Sequence, residues 1–146
     1  MYSQNNNEEP KLFTFTVPGK PQGKARARTF HNSKSGKMSS VTPEKTVLYE
    51  NLIKTCFQQK YGQKRFSDDA YVVANILAYF EPPKRAEMLE GKIWPAKKPD
   101  SDNIAKVVLD ALNGIAYHDD TQIIKLSVTK AYKEEAYLSV TLMELK

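Results

Sequence analysis

Asp100-Ser101-Asp102 and Asp119-Asp120, with Lys106 and Asp110 between them, concentrate five carboxylates and one ammonium in 21 residues. Asp100 and Asp102 stand two apart, just before a helical pattern. In extended chain both carboxylates point to one side. Asp102, Lys106 and Asp110 are spaced by four, which puts them in one line down a helix. Asn113-Gly114 is a helix stop. The chain can then turn back, and Asp119-Asp120 is expected to return beside the helix's first turn. Crowded carboxylates repel, at a cost of about 4 kcal/mol for two charges ~4 Å apart at an effective dielectric near 20. A fold that gathers several needs something to offset that cost. Mg²⁺ does so, since it takes a few carboxylate oxygens and keeps its remaining waters. Held in this way it orients a phosphodiester, activates water and stabilises the leaving oxygen. Each acidic group also has a simpler reading, Asp100 to Asn103 as helix-capping chemistry and Asp119-Asp120 as a turn. Taken together, with Lys106 on the same face, they favour a metal.

Other acidic and metal chemistries fit poorly. An EF-hand needs an acidic or amide ligand where Ile104 stands, Gly where Ala105 stands and Glu where Ala111 stands. An aspartyl-phosphate enzyme wants its Asp-x-Asp after an apolar strand, and Lys97-Lys98-Pro99 precedes this one. Zinc lacks ligands, because His31, His118 and Cys56 are the only soft donors. His118, beside Asp119, reads either as a general base or as a satisfied surface histidine. Cys56 lies on an apolar helical stripe and reads as a small buried hydrophobe.

A second group of residues is basic. Lys24, Arg26 and Arg28 alternate with small residues, so in extended chain the three cations face one way. Lys20, Lys34 and Lys37 lengthen that rail, and Lys97-Lys98 flank Asp100. Duplex DNA carries one charge per ~1.7 Å of axis, and a cation rail suits such a backbone. A solvated loop kept soluble by its charge is the competing reading. The overall distribution leans toward a polyanion. The net charge is +5, yet residues 1–66 hold twelve Lys/Arg against four Asp/Glu, whereas the remainder holds ten against thirteen. Cations beside an acidic cluster make sense if a polyanion is drawn toward a metal.

These residues must be positioned by a small fold. The chain has 146 residues, 40% hydrophobic and 27% charged, which is the composition of one globular domain. One cysteine excludes a disulfide-stapled secreted scaffold. No apolar run reaches the ~20 residues of a membrane span, and no secretory signal pattern opens the chain, so a soluble cytoplasmic protein is expected, with no membrane partner. Residues 1–10 read as a disordered tail and 11–146 as the domain. Leu12 to Val17 alternates as a half-buried strand, and Gly19 to Ser40 is a long polar stretch. Thr42-Pro43 opens a helix over 43–59 whose apolar stripe is Leu48, Tyr49, Leu52, Ile53, Cys56 and Phe57. Tyr71 to Phe80 reads as a central strand and Lys84 to Glu90 as a short helix. Asp102 to Leu112 is a second main helix with Ile104, Val107, Val108, Ala111 and Leu112 on its apolar face. Ile123 to Tyr132 and Tyr137 to Leu145 read as a hairpin. The expected fold is α/β or α+β, a mixed sheet of about four strands with two main helices in a single domain.

The run Asp100-x-Asp102-Asn103-x-x-Lys106-x-x-x-Asp110-Ala111-Leu112-Asn113-Gly114, followed by Asp119-Asp120-x-Gln122-Ile123, resembles the RusA-like Holliday junction resolvases of bacteria and their phages. The close match covers about residues 98 to 132. The resemblance implies a small homodimeric endodeoxyribonuclease that depends on Mg²⁺, with Mn²⁺ as a substitute. It implies paired nicks in four-way DNA junctions, in recombination and repair. Carried over, Asp100, Asp102 and Asp120 match the family's metal-binding carboxylates and Lys106 its catalytic lysine. Asp119 matches the acidic neighbour in the double-Asp element. The basic residues Lys20, Lys24, Arg26, Arg28, Lys97 and Lys98 lie outside the catalytic motif, and their DNA-binding role rests on charge. Two other readings remain open. One is a nuclease on other branched or flap DNA, and the other is a non-enzymatic nucleic-acid-binding protein whose carboxylates only organise a helix end.

Overall fold

Phe13, Phe15 and Val17 alternate with polar or exposed neighbours, and the alternation is the fold's first strand. In the computed structural model these three side chains are buried on β1 (Leu12–Pro18). The structure describes residues 9–26, 28–31 and 33–146, without the side chains of Arg28, Phe30, Ser39 and Ser40. The tail read over 1–10 therefore lies almost wholly outside the described residues.

The polar stretch after β1 contains a short antiparallel pair, β2 (Arg28–His31) and β3 (Met38–Val41). The sequence reading treats it as loop. Four-residue strands without apolar alternation give no period to detect. Helix α1 (Glu44–Tyr61) buries Thr46, Tyr49, Ile53 and Phe57. The expected stripe is narrower than read, because Leu48 and Leu52 stay exposed. After β4 (Tyr71–Phe80) come α2 (Arg85–Leu89) and α3 (Ser101–Leu112). All five expected apolar positions of α3 are fully buried. A 3-10 turn at Asp120–Gln122 leads into β5 (Ile123–Tyr132), and β6 (Tyr137–Leu145) closes the chain.

The main sheet has the order β1-β6-β4-β5, with β6 antiparallel to both neighbours and β5 parallel to β4. This is the expected mixed four-stranded α+β architecture. It corrects one connection, because β5 and β6 are not a hairpin: they flank β4. Every second residue of β4 from Val72 to Phe80 is buried, so its polar backbone groups must be paired on both edges. Residues 133–136 cross the end of β4, where the Lys133 N–H donates to Phe80 O at 2.8 Å. Two strand spacings are about 9.5 Å, and four extended residues reach about 13 Å, so the crossing is feasible.

The core lies between the sheet and the α1–α3 layer. Phe13 meets Phe57, Tyr61 and Phe66 edge-on, with ring centroids 4.7 to 5.3 Å apart. Val107, Val108 and Leu112 carry α3 onto the same core. That packing fixes α3's orientation, and with it the polar face that carries the acidic residues. Among the described residues no helix is long and apolar enough to cross a membrane.

Candidate functional site

The basic segment is fastened across both helices rather than left as a free rail. The Lys24 N–H donates to Asn103 O at 2.8 Å, and the Ala25 N–H donates to Oγ1 of buried Thr46 at 3.2 Å. Gly23 makes this approach possible. A Cβ there would stand 2.9 Å from Asn103 Cβ and 3.0 Å from Pro99 Cβ, and neither is the end of a flexible side chain. Gly23→Ala should therefore push the segment off the first turn of α3, with a loss of about 1–3 kcal/mol. A denaturant midpoint within error of wild type would contradict that close approach.

Lys24 does not face outward with Arg26. Its ammonium is ion-paired with Glu50 of α1 and lies 3.3 Å from Asp110 of α3, and its side chain is 19% exposed. Burial disfavours that charge, but the hydrogen bonds to Glu50 and Asp110 outweigh it, so the Lys24 pKa is raised. The rail reading is corrected here, because two carboxylates on facing helices turn Lys24 inward. Lys20 and Arg26 remain exposed, and the Arg28 side chain lies outside the described residues.

The carboxylates fall into two groups at opposite ends of α3. Asp100 precedes the helix and Asp102 lies in its first turn, both exposed. The Asp100 side chain makes no capping hydrogen bond. Helix capping therefore does not explain it. Asp119 and Asp120 lie at the other end. The Asp120 N–H donates to Asn113 Oδ1 at 2.8 Å, and Asn113 caps the helix C-terminus. Gln122 Oε1 accepts from the backbone N–H groups of His118 and Asp119, while its Nε2 donates to Ser67 O and Ala70 O. That side chain pins the Asp119-Asp120 turn against the segment before β4. From Asp102 to Asn113 is 11 residues, about 16 Å of helix at 1.5 Å each. The expected return beside the first turn is thus corrected to a return beside the last. The four residues of 115–118 are too few to run back along α3. Among the described residues of one chain, no three His, Cys, Asp or Glu groups are placed to hold a metal together.

The Asp119–Asp120 end is electrostatically strained. Burial raises the Asp120 pKa, and the hydrogen bond its protonated carboxyl donates to Asp119, with the charges of Asp119 and Asp110, raises it further; Lys106 opposes this. Lys106 Nζ is 3.5 Å from Asp110 Oδ2, and its side chain is 62% exposed. The Tyr117 hydroxyl is pushed far above its ordinary range by burial and then by Asp120, Asp110 and Asp119. It donates to Leu109 O at 2.7 Å. A carboxyl whose folded pKa is raised binds more protons folded than unfolded, so stability falls as pH rises through that range. In metal-free protein the contribution of Asp120 to stability should accordingly fall as pH rises above the ordinary aspartate value of about 3.9. Asp120→Asn should flatten that fall. Superimposable pH–stability curves for the two proteins would contradict it.

These hard oxygen donors, short of compensating charge, fit a divalent cation of the Mg²⁺ class better than any soft metal. A groove of about 970 Å³ runs from the basic segment to Asp100, lined by the cations Lys20, Arg26, Lys45 and Lys98 and by the apolar Leu48 and Leu52 of α1. Lys97 and Lys98 are exposed, and their backbone is held because Lys130 Nζ donates to Lys97 O at 2.7 Å and Pro99 O at 3.0 Å. The arrangement can seat a phosphate backbone beside Asp100. Sequence reasoning missed Glu50 and the inward turn of Lys24, for which no local signal exists. It read Asn113 as part of a helix stop and quoted Gln122 only as a motif letter, although an amide three residues after Asp119 is a turn-fixing signal.

With this geometry in place, comparison with known proteins is informative. The family model described as Endodeoxyribonuclease RusA matches residues 18–143. The chain is also 30% identical over 139 residues to the uncharacterized protein YqaN of Bacillus subtilis (strain 168), covering 90% of this chain and 95% of that one.

Proposed function

The chain belongs to the RusA endodeoxyribonuclease family, and from that premise we propose that it is a divalent-metal-dependent endonuclease resolving four-way DNA junctions as a homodimer. The observation that carries the reading is the separation of the two acidic groups by the length of α3. Among the described residues of one chain, neither group brings three such ligands together. In a two-fold dimer, the Asp100–Asp102 end of one chain meets the Asp119–Asp120 end of its partner, and two equivalent sites form. Two sites related by a two-fold axis suit a junction, whose opposed strands are related in the same way.

Asp100, Asp102, Asp119 and Asp120 hold Mg²⁺, or Mn²⁺ in its place. The bound cation supplies Lewis-acid polarisation of the phosphodiester and a water of lowered pKa. The remaining work falls to side chains of this protein. Lys20, Arg26, Lys97 and Lys98 bind backbone phosphates along the groove and align the strand. Lys24 holds the basic segment to both helices through Glu50 and Asp110. Lys106 places a positive charge at the acidic end of α3, where negative charge builds up on the phosphate as the bond breaks. Asn113 and Gln122 fix the backbone of the double-Asp turn so that its carboxylates need little rearrangement.

A nicking assay with Mg²⁺ on a four-way junction, a flap and a linear duplex tests the reading. Paired nicks in opposed junction strands, with the other two substrates cut poorly, are expected. Faster cleavage of the flap would favour a nuclease for other branched DNA. Binding to all three without any nick would favour a non-enzymatic DNA-binding protein.

A further inference from the structure

Between β4 and α3 the chain makes an excursion, residues 84–98, of which the cleavage site uses only Lys97 and Lys98. Its helix α2 has no buried residue. Its large apolar side chains face solvent, with Leu89 78%, Ile93 56% and Trp94 62% exposed. Apolar groups left together on a small protein's surface mark a binding site. The excursion is also cationic, with five Lys/Arg against two Glu. Glu87 and Glu90 lie near Lys97 and Lys92, at 4.0 and 3.1 Å, and Lys84, Arg85 and Lys98 carry no ion pair among the described residues. Two copies of so positive a surface repel each other, whereas a nucleic acid attracts both the charge and the ring.

The base of the excursion is rigid. Pro95, next to Trp94, is buried, and Lys130 clamps the backbone at Lys97 and Pro99. Trp94 is six residues from Asp100, so their Cα atoms are at most about 20 Å apart, a reach of a few nucleotides along a strand. We propose that Trp94 is a stacking residue that takes an unpaired or unstacked base at the branch point, within a few nucleotides of the phosphate to be cut. The flanking cations hold the phosphates on either side of that base. A continuous duplex keeps its bases stacked and offers the ring nothing, so the contact selects branched over linear DNA. This deepens the endonuclease reading and rests on it.

Trp94 is the chain's only tryptophan, so its emission reports this contact directly. The test titrates the full-length protein, in Ca²⁺ or without metal, with a four-way junction and with a linear duplex. Quenching of Trp94 by the junction and little change with the duplex are expected. Trp94→Ala should weaken junction binding about 5- to 150-fold, the effect of losing one stacked base. It should leave duplex affinity within about twofold, and Trp94→Phe should restore most of the loss. Unchanged emission at saturating junction, or an equal loss of affinity for both DNAs, would overturn the proposal. So would dissociation of a dimer by Trp94→Ala in sedimentation, which would assign the patch to self-association. A wild-type protein with no preference for the junction would instead overturn the junction reading. Emission with flap or single-stranded DNA would then decide the role of Trp94.

Discussion

Asp120→Asn should remove cleavage, with single-turnover nicking down by more than about 10², and leave the fold intact. The backbone N–H of residue 120, not its carboxylate, makes the bond to Asn113, so the turn survives the change. Burial raises the pKa of Asp120, and its neighbours Asp119 and Asp110 add to the rise. Losing the Asp120 charge relieves the repulsion and, on the proposed metal role, also removes a ligand oxygen. DNA binding should be unchanged or tighter, because one negative charge near the phosphate is gone. Asp100→Asn and Asp102→Asn should behave alike. Neither carboxylate has a hydrogen bond or ion pair among the described residues, and Asp100 does not cap α3, so a lost rate cannot be assigned to lost structure. Near-normal nicking by any of the three at saturating Mg²⁺ would contradict the metal role.

Lys106→Met is the second large effect expected. As a surface residue, Lys106 makes one exposed (i, i+4) pair with Asp110, worth only about 0.3–0.5 kcal/mol. As a catalytic group, its ammonium faces the phosphate and offsets charge that develops in the transition state. Removing one such preorganised charge typically costs about 10²–10³ in rate. The two roles thus differ by several kcal/mol. Lys106→Met should fold normally, bind junctions and metal, and lose at least about 10² in single-turnover rate. Lys106→Arg should rescue it only in part, since the planar guanidinium places its charge differently. Enzyme in excess over DNA removes affinity from the comparison. A Lys106→Met rate within a few-fold of wild type would leave the lysine as an ordinary helix-surface residue.

What was legible in the sequence was what depends on local period. Alternation at Phe13, Phe15 and Val17, and the Ile104-Val107-Val108-Ala111-Leu112 stripe, placed β1 and α3 to within one residue, because the side chains that make the pattern are the ones that are buried. Pairing between strands was not legible. β5 and β6 are adjacent in sequence, yet β4 lies between them, since a strand buried along one face and paired on both edges takes the centre whatever its neighbours in the chain. The candidate site divides in the same way. Composition and spacing marked Asp100, Asp102, Lys106 and Asp119-Asp120 as a group. Their separation by α3 depends on where a short return loop meets the helix. Lys24 shows the limit most clearly, because its neighbours 26 and 86 residues away, Glu50 and Asp110, turn it from an apparent phosphate contact into a clamp.

The most direct measurement mixes two chains that are inactive for different reasons. Asp102→Asn protein and Asp120→Asn protein are combined so that mixed dimers form, and nicking of a four-way junction is followed with Mg²⁺. If each site takes Asp100 and Asp102 from one chain and Asp119 and Asp120 from its partner, the mixed dimer contains one wild-type site and nicking returns. If each chain holds a whole site of its own, both sites in the mixed dimer are damaged. A mixture as inactive as its two parents, with dimer formation verified by sedimentation, would contradict the shared site.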